Sequence, residues 1–387
     1  MPRLAFCIAC AGNGHFTQAL TVAGYLRDRF QFSMIHVIAL ADADTDGLRR
    51  KVTSSILYKD LGDVTVQRSD MLATHDLRHK SKTQITIACE FLGAISPMAA
   101  RFQHHRVDLI LDFFTNVPEV SGIPLISISR QLISVNDQLN NPMFRMFKLQ
   151  SRLNCAICLS PSDIAYTQST DFIDGDVPPL IDTTPITRRV VRSTCLVYIR
   201  DPDHCGSIAQ LVAHNPGVAF TVFTDHVTSL SMHSRNVHVH KPGPDFRKHL
   251  ATTQVLLTSS GVESICEALF HRIPVVVLKP PCGDEEQTFN YQYYIAHEMA
   301  IPFSPSLVLA DVRRPIFKHA DWFIRYCLTA EQRVHDLVDT AMMTQPSTSR
   351  TVIDAWAKML PSVCTTHHRL NQLVNRTMMH LAWRFES

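Results

Sequence analysis

Short apolar runs alternate with helix-like stretches along most of the chain. Residues 4–10 (LAFCIAC) read as a first strand, and within 17–30 the apolar residues Leu20, Ala23, Leu26 and Phe30 recur close to the helical period. Further strand-like runs follow at 33–41, 63–67, 107–114, 124–129 and 154–160, with a long helical stretch around 80–104. Strands separated by helices imply βαβ units and a parallel sheet. The alternation lapses over 174–193, where three prolines and many small polar residues have the chemistry of a linker. A second series then begins, with strand-like runs at 195–200, 218–224, 236–240, 254–259 and 274–280 and helices near 206–214, 245–251 and 262–271. An α/β protein of two Rossmann-like domains facing a cleft is therefore expected. The divisions are 1–180, a linker at 181–193, a second domain at 194–355, and a helical tail at 356–387. On that tail Leu370, Leu373, Val374, Leu381 and Phe385 share one stripe. Packing against the body is the ordinary use of such a stripe; the flanking Arg and Trp residues also suit peripheral contact of 365–387 with a membrane face.

Composition narrows the function classes. The 387 residues exceed one typical core, and 45% hydrophobic against 19% charged residues fits a folded chain rather than a disordered one. Lys and Arg total 37 against 35 Asp and Glu, which leaves no basic excess for nucleic acid. No apolar stretch approaches the roughly 18 residues that span a bilayer. The N-terminal apolar run is short and flows into a glycine-containing turn, so it reads as a strand rather than a signal peptide. Eleven Cys without tight spacing point to a reduced, cytoplasmic setting. The C-x-x-C pairs Cys7/Cys10 and Cys155/Cys158 lie in strand-like runs, where residues three apart face opposite ways, so they read as small core hydrophobes. His238 and His240 share a strand face with no third ligand in view, and no metal site is assigned.

Two small turns carry the candidate chemistry. The first, AGNGHFTQ at 11–18, directly follows the first strand. Gly12, Asn13 and Gly14 allow a ligand to approach the backbone, and the helix behind them offers N–H groups to an anion. Thr17 stands where a dinucleotide fingerprint has its third glycine, which weakens a nicotinamide reading that Asp42 would otherwise support. His15, at the mouth of this turn, has a pKa suited to taking a proton near neutrality; a helix-capping histidine is the plainer alternative. Asp112, ending VDLILD, either orients His15, binds an acceptor, or is an ordinary loop acid.

The second turn is TSSGVESICEAL, 258–269. Ser259, Ser260 and Gly261 sit at a helix start, where N–H groups and hydroxyls hold a diphosphate. Glu267, inside that helix, can accept two hydroxyl hydrogen bonds, as from a ribose diol. On a loop after the next strand, Glu286 and Gln287, with Asn290 a turn later, offer the acid and amides that a hexose ring needs. Arg200, ending CLVYIR, is placed to reach the diphosphate.

This order of residues resembles the donor-binding signature of glycosyltransferases with the two-domain GT-B fold. The likeness is to the group that includes UDP-glycosyltransferases and the GlcNAc transferase of peptidoglycan synthesis. It rests on Gly261, Ser264, Glu267, Ile273-Pro274-Val275-Val276-Val277, Pro280, Glu286, Gln287 and Asn290 in sequence, and more weakly on GNGHFTQ with His15 at the position of the loop histidine. The resemblance implies a UDP-sugar as co-substrate, with no other cofactor, and a hexose moved to an acceptor hydroxyl without need of a metal ion. Glu263 departs from the pattern: a carboxylate beside a diphosphate is repulsive, so Ser260 and Ser264 are left to carry the phosphate contact. The acceptor is open among lipid-linked, polysaccharide and small-molecule classes. The three D-x-D triplets, at 42–44, 174–176 and 201–203, read as solvated turns. Two further functions fit the same residues: a non-hydrolysing UDP-sugar epimerase, and a sugar-nucleotide-binding protein without catalysis.

Overall fold

The computed structural model describes residues 1–10, 14–39, 64–68, 100–113, 122–134, 151–170, 173–188, 193–199, 201–224, 235–241, 245–280, 285–312 and 317–344. In chain order the elements are β1 (Arg3–Cys10), α1 (Gly14–Leu26), β2 (Gln31–Ala39), β3 (Val64–Arg68), β4 (Leu109–Phe113), β5 (Leu125–Ser129), α2 (Gln131–Ser134), β6 (Leu153–Ile157), α3 (Pro161–Gln168) and β7 (Gly175–Val177). The series continues with β8 (Thr194–Ile199), α4 (Cys205–His214), β9 (Ala219–Thr224), β10 (Val237–His240), α5 (Phe246–Thr252), β11 (Val255–Thr258) and α6 (Val262–Phe270). It ends with β12 (Val275–Val277), α7 (Glu285–Ala296), β13 (Ile301–Pro302), α8 (Ala320–Cys327) and α9 (Ala330–Met343).

Two compact units result: unit 1 is Met1–Leu180 with the chain from Thr329 onward, and unit 2 is Ile181–Leu328. Unit 1 holds a seven-stranded sheet in the order β3-β2-β1-β4-β5-β6-β7, and unit 2 a six-stranded sheet in the order β10-β9-β8-β11-β12-β13. Every neighbouring pair is parallel. Parallel strands are covered on both faces, which is why LILDF, LISIS and VVV are buried at every position instead of alternating. Strand order reverses between β1 and β4 and between β8 and β11, so connections leave these pairs in opposite directions and open a crevice at their carboxyl ends. Both candidate turns follow such a strand: one β1, the other β11.

Two boundaries differ from the sequence division. Gly175–Val177, within the stretch read as linker, pairs with β6 as an edge strand too short to show a period. Helix α9, assigned with 194–355, belongs to unit 1. It buries Ala330, Val334, Val338 and Ala341. Arginines pin it: Arg152 donates to the carbonyls of Ala341 (3.3 Å) and Thr344 (2.9 Å), Arg29 pairs with Asp339, and Arg333 pairs with Asp176 at 3.1 Å. Satisfying the free carbonyls at a helix end from residues so distant in sequence is a tertiary event. The tail at 356–387 and the 345–355 segment lie outside the described residues.

Three helix ends share one device. After the helical turn at 100–104, after α6 and after α7, the left-handed residue is Arg106 (φ 52°), Arg272 (φ 56°) and Glu298 (φ 55°). Each is followed by a buried apolar residue, Val107, Ile273 or Met299, whose N–H reaches back five residues to Phe102, Ala268 or Tyr294. This is the Schellman termination, with charged side chains where glycine is usual. Arg272 is half exposed and pairs with Asp321 at 2.5 Å, in line with its reading as a surface residue.

Candidate functional site

In unit 2 the site begins where β11 ends. Ser259 donates its N–H to the Tyr198 carbonyl (3.3 Å), tying the turn to β8 across the strand-order reversal. Helix α6 follows because Val262, Ile265, Cys266 and Leu269 recur at helical spacing and are buried, leaving Glu263, Ser264 and Glu267 off the packed stripe. Its N-cap is Gly261, at φ −67° and ψ 152°, and no side chain caps the helix. The N-cap thus supplies no side-chain acceptor to the first-turn N–H groups. A Cβ on Gly261 would meet no atom within 4 Å, so open space lies over the turn.

The hydroxyls around this turn divide. Ser260 is fully buried and donates to Gln287 Oε1 across 3.5 Å. Ser264 is turned back to Thr258, with 3.2 Å between the hydroxyls. The Ser259 hydroxyl is buried with no hydrogen-bond partner among the described residues, and so are both amide atoms of Asn290, which is 1% exposed. Buried polar groups are seldom left so, and a ligand is one means of satisfying them. Glu286 and Gln287 are not on a loop: α7 starts at Glu285, so both occupy its first turn, one turn before Asn290. The structure thus brings Ser260, Gln287 and the end of β11 together.

Glu267 is 18% exposed, and its Oε1 accepts from Arg247 Nε at 3.1 Å. Burial pushes its carboxyl above the usual range; Arg247 pulls it back and Asp182 pushes it further up. Arg247 also binds the Asp182 side chain and the carbonyls of Asp182 and Thr184. The sequence reading missed Arg247, which lies twenty residues before Glu267 and in no motif. It also missed an aromatic cluster near the carboxyl ends of β8 to β10. Phe223 stacks on His240 (5.2 Å between centroids) and meets Phe246 and His249 edge-on, and Tyr198 meets Phe246. Burial first, and then His240, hold His249 below its ordinary pKa. His240, read as part of a polar strand face, is thus one wall of this cluster.

In unit 1, His15 is the second residue of α1, and its Nδ1 lies 3.0 Å from the Ala9 carbonyl. A carbonyl only accepts, so Nδ1 carries a proton, and in the neutral ring Nε2 is then the acceptor nitrogen. The ring is oriented by main chain at this nitrogen, where a carboxylate had been considered. Asp112 is not an open strand-end acid. It is the fourth of the five residues of β4, 1% exposed, registered against Cys7 and Ser127, with Ser127 Oγ 3.5 Å away. Burial first, and then Asp112, push the Cys7 thiol well above its usual range. Cys155 and Cys158 are likewise buried. Gly12, Asn13, Arg200 and Asp42 lie outside the described residues. Among the described residues, no group of three or more His, Cys, Asp or Glu is placed to hold a metal ion, and no helix is long and apolar enough to cross a membrane.

No family model matches the chain, and no curated protein is found similar to it in sequence. Solved structures are. LpCGTa in complex with UDP superposes with a TM-score of 0.60 at 13% identity, covering 89% of this chain and 100% of that one. UGT2 of Phytolacca americana, complexed with UDP-2fluoro-glucose and pterostilbene, gives 0.59 at 14%, covering 89% and 100%. A UDP-GlcNAc 2-epimerase from Neisseria meningitidis bound to UDP-GlcNAc gives 0.52 at 11%, covering 87% and 100%. At these identities the likeness is one of fold: two Rossmann-like units of the GT-B type.

Proposed function

We propose that this chain is a glycosyltransferase that moves a hexose from a UDP-sugar to an acceptor hydroxyl. The observation that carries the reading is the carboxyl end of β11, where an uncapped helix start, open space over Gly261 and the partly buried Glu267 follow one another within one turn and one helix. A diphosphate suits the first, because N–H groups and the helix dipole favour anions. A ribose diol suits Glu267, and the sugar suits Glu286, Gln287 and Asn290, whose amide has no partner among the described residues. Three structures of this fold hold UDP or a UDP-sugar, which supports uridine over other bases.

In unit 1, His15 takes the acceptor's proton through Nε2 as the oxygen attacks the anomeric carbon. The bond from that carbon to the diphosphate oxygen breaks, and the departing negative charge meets the α6 N-terminus. The epimerase of the same fold motivates a second reading, in which two UDP-sugars interconvert without an acceptor.

Incubating the chain with a panel of UDP-hexoses separates these. Transfer releases UDP in an acceptor-dependent way, epimerisation yields a second UDP-sugar with no release, and a binding protein does neither. His15→Ala is expected to bind UDP normally and to lose about 10²–10⁴-fold in turnover. Turnover equal to the parent removes His15 from the mechanism.

A further inference from the structure

Glu267 is held by one oxygen and not the other. Arg247 Nε takes Oε1, while Oε2 has no hydrogen bond among the described residues. The guanidinium's other nitrogens are also engaged, Nη1 by the Asp182 carboxylate and Nη2 by the carbonyls of Asp182 (3.3 Å) and Thr184, so four of its five N–H groups are used. A planar donor fixed at three nitrogens fixes its partner in turn. The segment it binds is itself anchored, since Arg188 donates to the carbonyls of Thr253 (3.1 Å), His271 (3.4 Å) and Arg272 (3.2 Å) at the ends of α5 and α6.

We propose that Arg247 is a positioning residue of the donor site: it fixes the Glu267 carboxylate through Oε1 and so reserves Oε2 for a hydroxyl of the nucleotide. This rests on the reading of unit 2 as the nucleotide-sugar site. It adds a residue that touches no ligand and acts through one that does. Two charged groups bear on Glu267, Arg247 from α5 and Asp182 from the segment at 181–188, and their effects are opposed. Burial already favours the neutral acid, so removing the guanidinium leaves burial and Asp182 acting together. His271, which also feels Arg247, Asp182 and Arg188, is the neighbouring imidazole.

The test is calorimetric titration of the full chain with UDP between pH 4.5 and 8. Variant-to-parent ratios cancel the titration of UDP itself, and repeating the series with His271→Gln takes the imidazole out of it. Arg247→Gln is expected to move the acid limb of UDP affinity upward by about one pH unit or more, so that binding on the acid side of both limbs is weaker by about tenfold or more. Arg247→Lys keeps the charge and returns the limb toward the parent. Asp182→Asn weakens the tie to 181–188, whose carbonyls still accept from Nη2, and removes a negative neighbour, so its limb does not rise. In a Glu267→Gln background, Arg247→Gln is expected to add no further pH dependence. If Glu267→Gln alone binds UDP like the parent, the nucleotide-site reading fails. If Glu267→Gln weakens binding but Arg247→Gln costs the same at every pH, or costs as much in the Glu267→Gln background, Arg247 is merely structural and this proposal is overturned. Should Arg247→Gln fail to fold, the Arg247→Lys and Asp182→Asn limbs decide by the direction in which each moves.

Discussion

Gly261 separates the needs of the fold from the needs of a ligand. Its backbone, at φ −67° and ψ 152°, is open to any residue, and a Cβ there meets nothing within 4 Å. Two small effects on stability oppose each other in Gly261→Ala. Alanine is a poorer N-cap than glycine by up to about 1 kcal/mol. Losing glycine's freedom in the unfolded chain returns about 0.4–1 kcal/mol. The net is near zero, and the melting temperature is expected to stay within roughly 2 °C of the parent. Binding has no such balance. A methyl group over the first turn pushes a phosphate off N–H groups whose charge-assisted bonds contribute about 1.5–3 kcal/mol each. Since about 1.4 kcal/mol is tenfold, UDP affinity is expected to fall by at least about tenfold for alanine, and further for Gly261→Val. Calorimetry with UDP, paired with thermal melts of the same samples, reads both quantities. Two folded variants that bind UDP as the parent does would show that no phosphate sits on this turn.

Three other outcomes follow from particular contacts. Asn290→Leu removes two buried amide atoms that have no partner among the described residues, so the melting temperature is expected to hold or rise while the KM for a UDP-sugar increases about tenfold; a large loss of stability would contradict the geometry. Asp163→Ala leaves Arg130 without its 2.6 Å partner at a site where the two side chains are 4% and 2% exposed, and should cost about 3–5 kcal/mol in urea unfolding; a cost under 1 kcal/mol would refute the pairing. His204, His249 and His271 are each held below the ordinary imidazole value, chiefly by burial, so the unfolded chain takes up their protons first. Their contribution to stability is complete above about pH 6.5 and is lost as pH falls through the lower folded values, so melts should show a decline on acidification that His249→Gln reduces. Glu267, whose carboxyl is raised, opposes this decline in the window just above 4.5.

The hydrophobic pattern was enough for β1, α1, α4, α6 and the buried strands of both sheets, because each repeats its period over several residues or forms an unbroken apolar run. The order of Ser259–Gly261, Glu267, Gln287 and Asn290 was legible for a related reason: helix geometry converts spacing into a shared face, and the turn and α6 are local. Helix ends were less so. At Arg106, Arg272 and Glu298 the usual glycine is missing, and the termination is held by a buried apolar residue whose burial depends on the rest of the unit. The three residues of β7 are stabilised by β6 and carry no signal of their own.

What the chain determined alone, then, was the succession of elements and the chemistry close to each turn, since both depend on neighbours a few residues away. Folding decided which distant residues complete them. Arg152 caps a helix about 190 residues later, so α9 joins unit 1, and Arg247 meets Glu267 and Asp182, 20 and 65 residues away. An arginine has the same composition whether it faces water or closes a carboxylate. Its role is set by which partners the packed sheets and helices carry to within about 3 Å, and the spacing of residues along a chain does not contain that distance.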